Sequence, residues 1–150
     1  MSSLRSVMRP LAGALALLVS VMPPARAQES APASGTSLTL ELNTANDVET
    51  GCRLALVAYN GTATALDEVS YEVVVFDGNQ RVSQFVLFEF GALARRKTKV
   101  VQFDIANAKC VDISRLVLNN ASRCQAAGGT VPICLDEVVP TTRTSIAFGL

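Results

Sequence analysis

The chain has 150 residues, with 13 basic and 13 acidic side chains, four cysteines, no histidine and no tryptophan. Without histidine, Ser-His-Asp and Cys-His catalytic sites and imidazole metal sites are excluded, which removes large classes of hydrolases and zinc enzymes. Three basic residues lie within the first 27 positions, so the remainder has 10 basic and 13 acidic side chains. This balance gives no basic footprint, and no nucleic-acid partner is expected.

The N-terminus has the pattern of a secretory signal peptide. Arg5 and Arg9 form a short basic region, the apolar run LAGALALLVSV follows, and Ala25 and Ala27 have the small-x-small spacing that signal peptidase cleaves. An apolar run of this length is too short for the roughly 20 residues that span a bilayer, so no membrane span is expected. We predict a signal peptide over 1–27, cleaved after Ala27, and a periplasmic or secreted location.

Residues 28–37, QESAPASGTS, are small, polar and proline-containing, which predicts a flexible tether. Residues 38–150 then contain short runs rich in β-branched and aromatic residues, separated by turn signals such as Asn60-Gly61 and Asp77-Gly78. The predicted strands are SLTLEL, CRLALVAY, VSYEVVVF, RVSQFVLFEF, KTKVVQFDI, ISRLVLNN and TSIAFGL.

The spacing of these runs predicts one all-β domain over 38–150. No run of ten or more residues has helical periodicity, and short strands separated by turns are typical of a two-sheet sandwich. We predict an immunoglobulin/fibronectin-like antiparallel β-sandwich of about seven strands. Residues 121–143 break the pattern, because they contain two cysteines, two glycines and two prolines without clean alternation, and they are predicted to form an irregular loop.

The four cysteines follow the predicted cleavage site, and an even number in a small exported domain is typical of disulfides. Four cysteines allow three pairings. The second and fifth strands of a seven-stranded sandwich run antiparallel side by side, which would bring Cys52 near Cys110 and leave Cys124 to pair with Cys134. We therefore favour Cys52–Cys110 and Cys124–Cys134 as disulfides that stabilise the domain.

Thiol chemistry is the alternative interpretation of the same cysteines. It would make the chain a thiol-redox or metal-binding protein that uses Cys124 and Cys134. The sequence has no Cys-x-x-Cys spacing of the kind that places two thiols together for exchange or metal binding. No catalytic residue, metal or cofactor is therefore predicted, and the chain is not expected to be an enzyme.

Two segments are candidates for a partner surface. The run FVLFEF over 85–90 is apolar on both faces, which indicates a doubly covered strand or an exposed edge that adds a strand of a partner or of a second copy. The segment ARRKTK carries four cations, which would either meet an anionic partner or form a solvated turn. The candidate residues are Phe85, Phe88, Phe90, Arg95, Arg96, Lys97 and Lys99.

The chain also resembles a known group of proteins. The resemblance is carried by VAYNGTATALDEVSYEVVVFDGNQRV, by GCR before it, by KTKVVQFDI and CVDISRLVLNN after it, and by RTSIAFG near the end. These segments are similar to small exported proteins of Gram-negative bacteria with an FxLYD-type, fibronectin-like domain. The resemblance implies a β-sandwich in the periplasm and transfers no catalytic residues. We expect a non-enzymatic binding or envelope-structural module whose partner is an envelope protein or surface, with a homodimer formed by edge-strand pairing as one form.

Overall fold

The computed structural model describes residues 36–150. In this part of the chain two β-sheets pack face to face around one hydrophobic core. The predicted signal peptide over 1–27 lies outside the described residues, as does nearly all of the predicted tether over 28–37. Among residues 36–150, no helix has both the length and the apolar composition needed to cross a bilayer.

The described part of the chain contains nine strands, one 3-10 helix and one short α-helix. In chain order they are β1 (Leu38–Val48), β2 (Gly51–Asn60), β3 (Leu66–Asp77), β4 (Val82–Leu93), β5 (Thr98–Ala106), the 3-10 helix (Cys110–Asp112), β6 (Ile113–Ala126), β7 (Gly129–Thr130), α1 (Ile133–Asp136), β8 (Val138–Thr142) and β9 (Ala147–Gly149).

The sheet order confirms the predicted fold class. One sheet has the order β5-β2-β1-β8, and the other has the order β4-β3-β6-β7 with β9 also beside β6. The pairs β1–β2, β2–β5, β3–β4 and β3–β6 are antiparallel, as an immunoglobulin/fibronectin-like sandwich requires. The strand count differs from the prediction, with nine strands rather than seven, and the pairs β1–β8 and β6–β9 are parallel.

Alternation of side chains explains the core. Successive residues of a strand point to opposite faces, so the leucines of β1 face inward while Thr39 and Glu41 between them face outward. The same alternation continues along β2, whereas in the other sheet it is interrupted along β3 and β6 by register shifts. The largest buried side chains of these four strands are Leu38, Leu40, Leu42, Leu54, Leu56, Leu66, Tyr71 and Leu116.

A buried asparagine organises the turn between β2 and β3. The Asn60 side chain is fully buried, and its amide nitrogen donates to the carbonyls of Thr64 at 2.8 Å and Leu93 at 2.9 Å. Its side-chain oxygen accepts a hydrogen bond from the Thr62 hydroxyl at 2.7 Å. One side chain therefore fixes the turn and also ties it to the end of β4.

Residues 121–143 are more regular than the sequence predicts. β6 continues to Ala126, β7 pairs back onto it, and β8 then joins the other sheet beside β1. The prediction of an irregular loop is wrong because the inward residues here, Cys124 and Ala126, are small and lack the bulk that marks a strand in sequence. The chain thus leaves the sheet that contains β6 between β7 and β8, and it returns to that sheet at β9.

One disulfide and two polar contacts stabilise the segment in which the chain passes from one sheet to the other. The Cys124–Cys134 disulfide joins β6 to α1 with a Cα–Cα distance of 5.9 Å. The hydroxyl of Tyr71 on β3 donates a buried hydrogen bond to the carbonyl of Cys134 at 2.8 Å. Beyond β8, the Arg143 guanidinium lies 2.9 Å from the carboxylate of Glu41.

Replacing Tyr71 with phenylalanine should lower the free energy of unfolding by about 1–3 kcal/mol, because the buried carbonyl of Cys134 would lose its donor. Chemical denaturation measures the change. Tyr59→Phe is the matched control, since Tyr59 lies on the outward face of β2, and it should change stability by less than about 0.5 kcal/mol. Equal losses in both variants would contradict the assigned role of Tyr71.

The Glu41 carboxylate should make stability depend on pH. The hydrogen bond from Asn43, together with Arg143, holds the pKa of Glu41 below its ordinary value of 4.5 and outweighs the opposing effect of burial. A lowered pKa stabilises the fold above 4.5, and this contribution is lost as the pH falls through the folded-state pKa. Denaturation below pH 4.5 should therefore show a shallower pH dependence for Glu41→Gln than for the native chain. Parallel pH profiles would count against this assignment.

Candidate functional site

Both disulfides have the pairing that the sequence favoured. Cys52 and Cys110 are joined across 58 positions, and Cys124 and Cys134 across 10. Cys52 and Cys134 are fully buried and Cys124 is 5% exposed. On the chain-entropy account the longer loop contributes about 4 kcal/mol and the shorter loop about 3 kcal/mol. All four cysteine sulfurs are thus in disulfide bonds.

The run FVLFEF lies within β4, which forms an edge of its sheet. Phe88 and Phe90 are each 1% exposed and face the core, so their prediction as partner-surface residues is wrong. The reason is that Phe88 stacks on Phe103 of β5 at a centroid distance of 4.2 Å, while Phe90 meets the same ring edge-on at 5.4 Å. These rings join the two sheets beside the β4 edge.

Phe85 remains on the surface, and two further side chains join it there. Phe85 is 60% exposed, Leu87 is 53% exposed and Val82 is 52% exposed. We call these three residues of β4 the β4 patch. Leu87 is two positions from Phe85 and therefore shares its face. Neither Leu87 nor Val82 was among the predicted partner-surface residues, although Leu87 lies within the run FVLFEF.

A β-bulge brings Val82 to the same face as Phe85. Val75 of β3 pairs with Gln84, and the next residue, Phe76, pairs with Val82, so Ser83 is an extra residue in β4. Val82 and Phe85 are three positions apart and would lie on opposite faces of a regular strand. No residue pattern in the sequence signals this bulge.

The β4 patch continues across the sheet. Val74 of β3 is opposite Phe85 on one side and opposite Val117 of β6 on the other, which gives a row of three apolar side chains. Beside this row, the Arg115 guanidinium lies 4.1 Å from the centroid of the Phe76 ring. The apolar row on the outer face of this sheet therefore reaches β6, and Val74 in its middle is only 6% exposed.

The edge of β4 is closed at one end by a lysine. Lys99 of β5 donates from its ammonium group to the carbonyls of Phe90 at 2.6 Å and Ala92 at 3.3 Å. Lys99 was predicted as part of a basic partner surface, and the structure instead engages it with the edge strand. The other three cations, Arg95, Arg96 and Lys97, are exposed in the turn between β4 and β5.

The surface of residues 36–150 also has depressions away from the β4 patch. One of about 460 Å³ lies between the β1–β2 turn and the 3-10 helix. Its Asp47 carboxylate accepts a hydrogen bond from the backbone nitrogen of Cys110 at 2.7 Å, so this acid fixes the loop that carries the first disulfide. Within residues 36–150, no group of three or more cysteine, aspartate or glutamate side chains is placed to hold a metal ion.

Charged groups elsewhere form pairs between strands. Arg53 of β2 and Asp104 of β5 share two hydrogen bonds of 2.7 Å, and the bond from Arg53 lowers the pKa of Asp104. Burial raises the pKa of Tyr71, so its hydroxyl stays protonated and acts as the donor described above. The contacts of Arg53, Asp104 and Tyr71 thus join elements of the fold to one another.

No family model, curated protein or solved structure matches the chain. The resemblance to FxLYD-type exported proteins therefore stays a prediction, and the β4 patch is interpreted from its own geometry.

Lys99→Ala should increase aggregation on heating, because the carbonyls of Phe90 and Ala92 would become free to pair with another chain. Static light scattering during a temperature ramp measures this. Lys97→Ala removes the same charge from an exposed position in the adjacent turn and should behave like the native chain. Identical scattering from the two variants would show that charge alone, rather than edge protection, is the contribution of Lys99.

Proposed function

We propose that this chain is an exported, non-enzymatic β-sandwich that binds another protein of the cell envelope through the β4 patch and the open edge of β4. The observation that carries the proposal is that Val82, Phe85 and Leu87 are each more than half exposed on one edge strand. Clustered apolar side chains on the surface of a soluble domain are characteristic of interaction sites.

The energetics of the β4 patch favour a protein partner. Covering the exposed parts of these three side chains would contribute about 2–5 kcal/mol to binding. The edge adds backbone donors and acceptors, so an extended segment could pair with β4 and place its side chains on the patch at the same time. A small polar molecule would use neither contribution.

Two features support the proposed location. The Cys52–Cys110 and Cys124–Cys134 disulfides are consistent with an oxidising, extracellular environment. The predicted signal peptide over 1–27 would deliver the chain there. A periplasmic or secreted binding protein of the envelope accounts for both features.

The competing proposal is a thiol-redox or metal-binding protein that uses Cys124 and Cys134. It requires thiolates, since the thiolate is both the nucleophile and the metal ligand. The disulfide between these residues and the complete burial of Cys134 support a structural role instead. We therefore favour binding over thiol chemistry.

Site-specific photocrosslinking in the producing cell tests the proposal. Phe85 is replaced by p-benzoylphenylalanine, and Val100 serves as the control because it is 62% exposed on β5 of the other sheet. We expect a defined protein adduct from position 85, identified by mass spectrometry, that position 100 does not give. Leu87→Asp should abolish the adduct, since a carboxylate at the centre of the patch would have to be desolvated.

Two results would contradict the proposal. One is equal labelling from positions 85 and 100, which would mean that the β4 patch has no preferred partner. The other is an adduct that persists in Leu87→Asp, which would mean that the contact does not use the patch.

A further inference from the structure

We infer that Cys110 is a thiol-exchange site, at which the dithiol of an oxidoreductase opens the Cys52–Cys110 disulfide while the sandwich stays folded. The opening releases residues 107–112, which we call the strap and which lead from β5 of one sheet to β6 of the other. The inference does not depend on the β4 patch. It rests on the different surroundings of the two disulfides and on the few contacts that hold the strap.

The two disulfides differ in their exposure to solvent. Cys110 is partly exposed, and it borders a surface depression of about 490 Å³ between β1 and residues 144–146. Cys124 and Cys134 also border a depression, but Cys124 is 5% exposed and Cys134 is fully buried, as is Cys52. An attacking thiolate has to reach a disulfide sulfur from solvent. Cys110 is therefore the most accessible point of attack.

The strap is held by few contacts. None of residues 107–112 is buried. The backbone nitrogen of Asn107 donates to the carbonyl of Thr50 at 3.0 Å. The backbone nitrogen of Cys110 donates to the carboxylate of Asp47 at 2.7 Å, and the disulfide adds a covalent link. Segments that bury few apolar groups open at a low cost in free energy, so the strap should detach once the disulfide is reduced.

The second disulfide joins elements that the core holds in place. Cys134 is fully buried on α1, and its carbonyl accepts the hydrogen bond from Tyr71. Cys124 lies within β6, which pairs with β3 along most of its length. A thiol would reach this bond only after a wider opening of the fold, so its reduction should be slower.

The core strands stay paired without the Cys52–Cys110 bond. Cys52 lies within β2, where it is paired with Asp47 of β1 and with Ile105 of β5. These backbone pairings do not involve its sulfur. After reduction the Cys52 thiol would remain inside the sandwich, where a free cysteine behaves as a small apolar side chain. Opening of the strap is therefore expected to be local.

The exchange is a balanced thiol–disulfide reaction. A thiolate of the dithiol attacks the sulfur of Cys110, forms a mixed disulfide there and displaces the sulfur of Cys52, which takes up a proton. The second thiol of the dithiol then attacks the mixed disulfide, releases Cys110 as a thiol and closes a disulfide of its own. The chain gains two electrons and two protons, and the dithiol loses them. The chain is thus the substrate of the exchange.

Graded reduction of the purified oxidised protein tests the inference. Dithiothreitol serves as the dithiol, N-ethylmaleimide traps free thiols at timed intervals, and peptide mass mapping locates the label. We expect Cys52 and Cys110 to be labelled at least about tenfold faster than Cys124 and Cys134. Glutathione, which has a single thiol, should form its mixed disulfide at Cys110 rather than at Cys52.

Two further measurements show whether the strap opens alone. Circular dichroism of the protein reduced only at Cys52 and Cys110 should keep the β-sheet spectrum of the oxidised protein. Trypsin should cut after Lys109, which is exposed in the strap, at least about tenfold faster than in the oxidised protein. Cutting after Arg53 within β2 should stay slow, because that residue is paired on both sides.

A matched pair of variants tests the link between Asp47 and the strap. Asp47→Ala removes the acceptor of the Cys110 backbone nitrogen and should speed reduction of Cys52–Cys110 by about fivefold. Asp112→Ala removes the same charge from an exposed position in the strap and should change the rate by less than about twofold. Equal acceleration in both variants would show that charge, rather than the hydrogen bond, limits access to the disulfide.

Four results would overturn the inference. Loss of both disulfides in one step together with the β-sheet spectrum would mean that thiols reach them only through global unfolding. Faster labelling of Cys124 and Cys134 would place the exchange at the other bond. A glutathione adduct at Cys52 would exclude Cys110 as the sulfur attacked. Unchanged trypsin cutting after Lys109 in the reduced protein would exclude release of the strap.

Discussion

The hydrogen bond from Tyr71 to the carbonyl of Cys134, with the Cys124–Cys134 disulfide beside it, fixes the point where the chain leaves one sheet for the other. The rest of the architecture depends on this point. Because the chain changes sheets there, β8 can cover β1, while β7 pairs with β6 before the change and β9 pairs with β6 after it. The strands on this side of the sandwich are short, with five residues in β8, two in β7 and three in β9. They therefore offer little edge to another chain.

The opposite side of the sandwich is built differently. Its edges are β4, with 12 residues, and β5, with nine, and both are long enough to pair with a further strand. Stacking of Phe88 on Phe103 holds these two edges together from within, and Lys99 links them from outside. Along β4, the apolar side chains of Val82, Phe85 and Leu87 face outward. Covering the edges on one side thus concentrates the candidate binding surface on the other.

The sequence predicts the sheets well where one face is apolar and the other polar. β1 and β2 show this alternation clearly, and the pairing of β2 with β5 correctly places Cys52 near Cys110. Prediction fails where that contrast is absent. In β4 both faces are apolar, so the alternation gives no sign that Phe88 is inside and Phe85 outside. The bulge at Ser83 depends on the register between two strands, which no local residue pattern encodes.

The burial of Asn60 has a consequence for making this protein in other cells. Asn60-Gly61-Thr62 matches the acceptor pattern for N-linked glycans, and Asn120-Ala121-Ser122 matches it as well. The Asn60 amide is enclosed and donates both of its hydrogen bonds, so a sugar there is incompatible with the folded turn. Asn120, by contrast, is exposed on β6. In a eukaryotic secretory host, glycan attachment at Asn60 before folding would compete directly with formation of the β2–β3 turn.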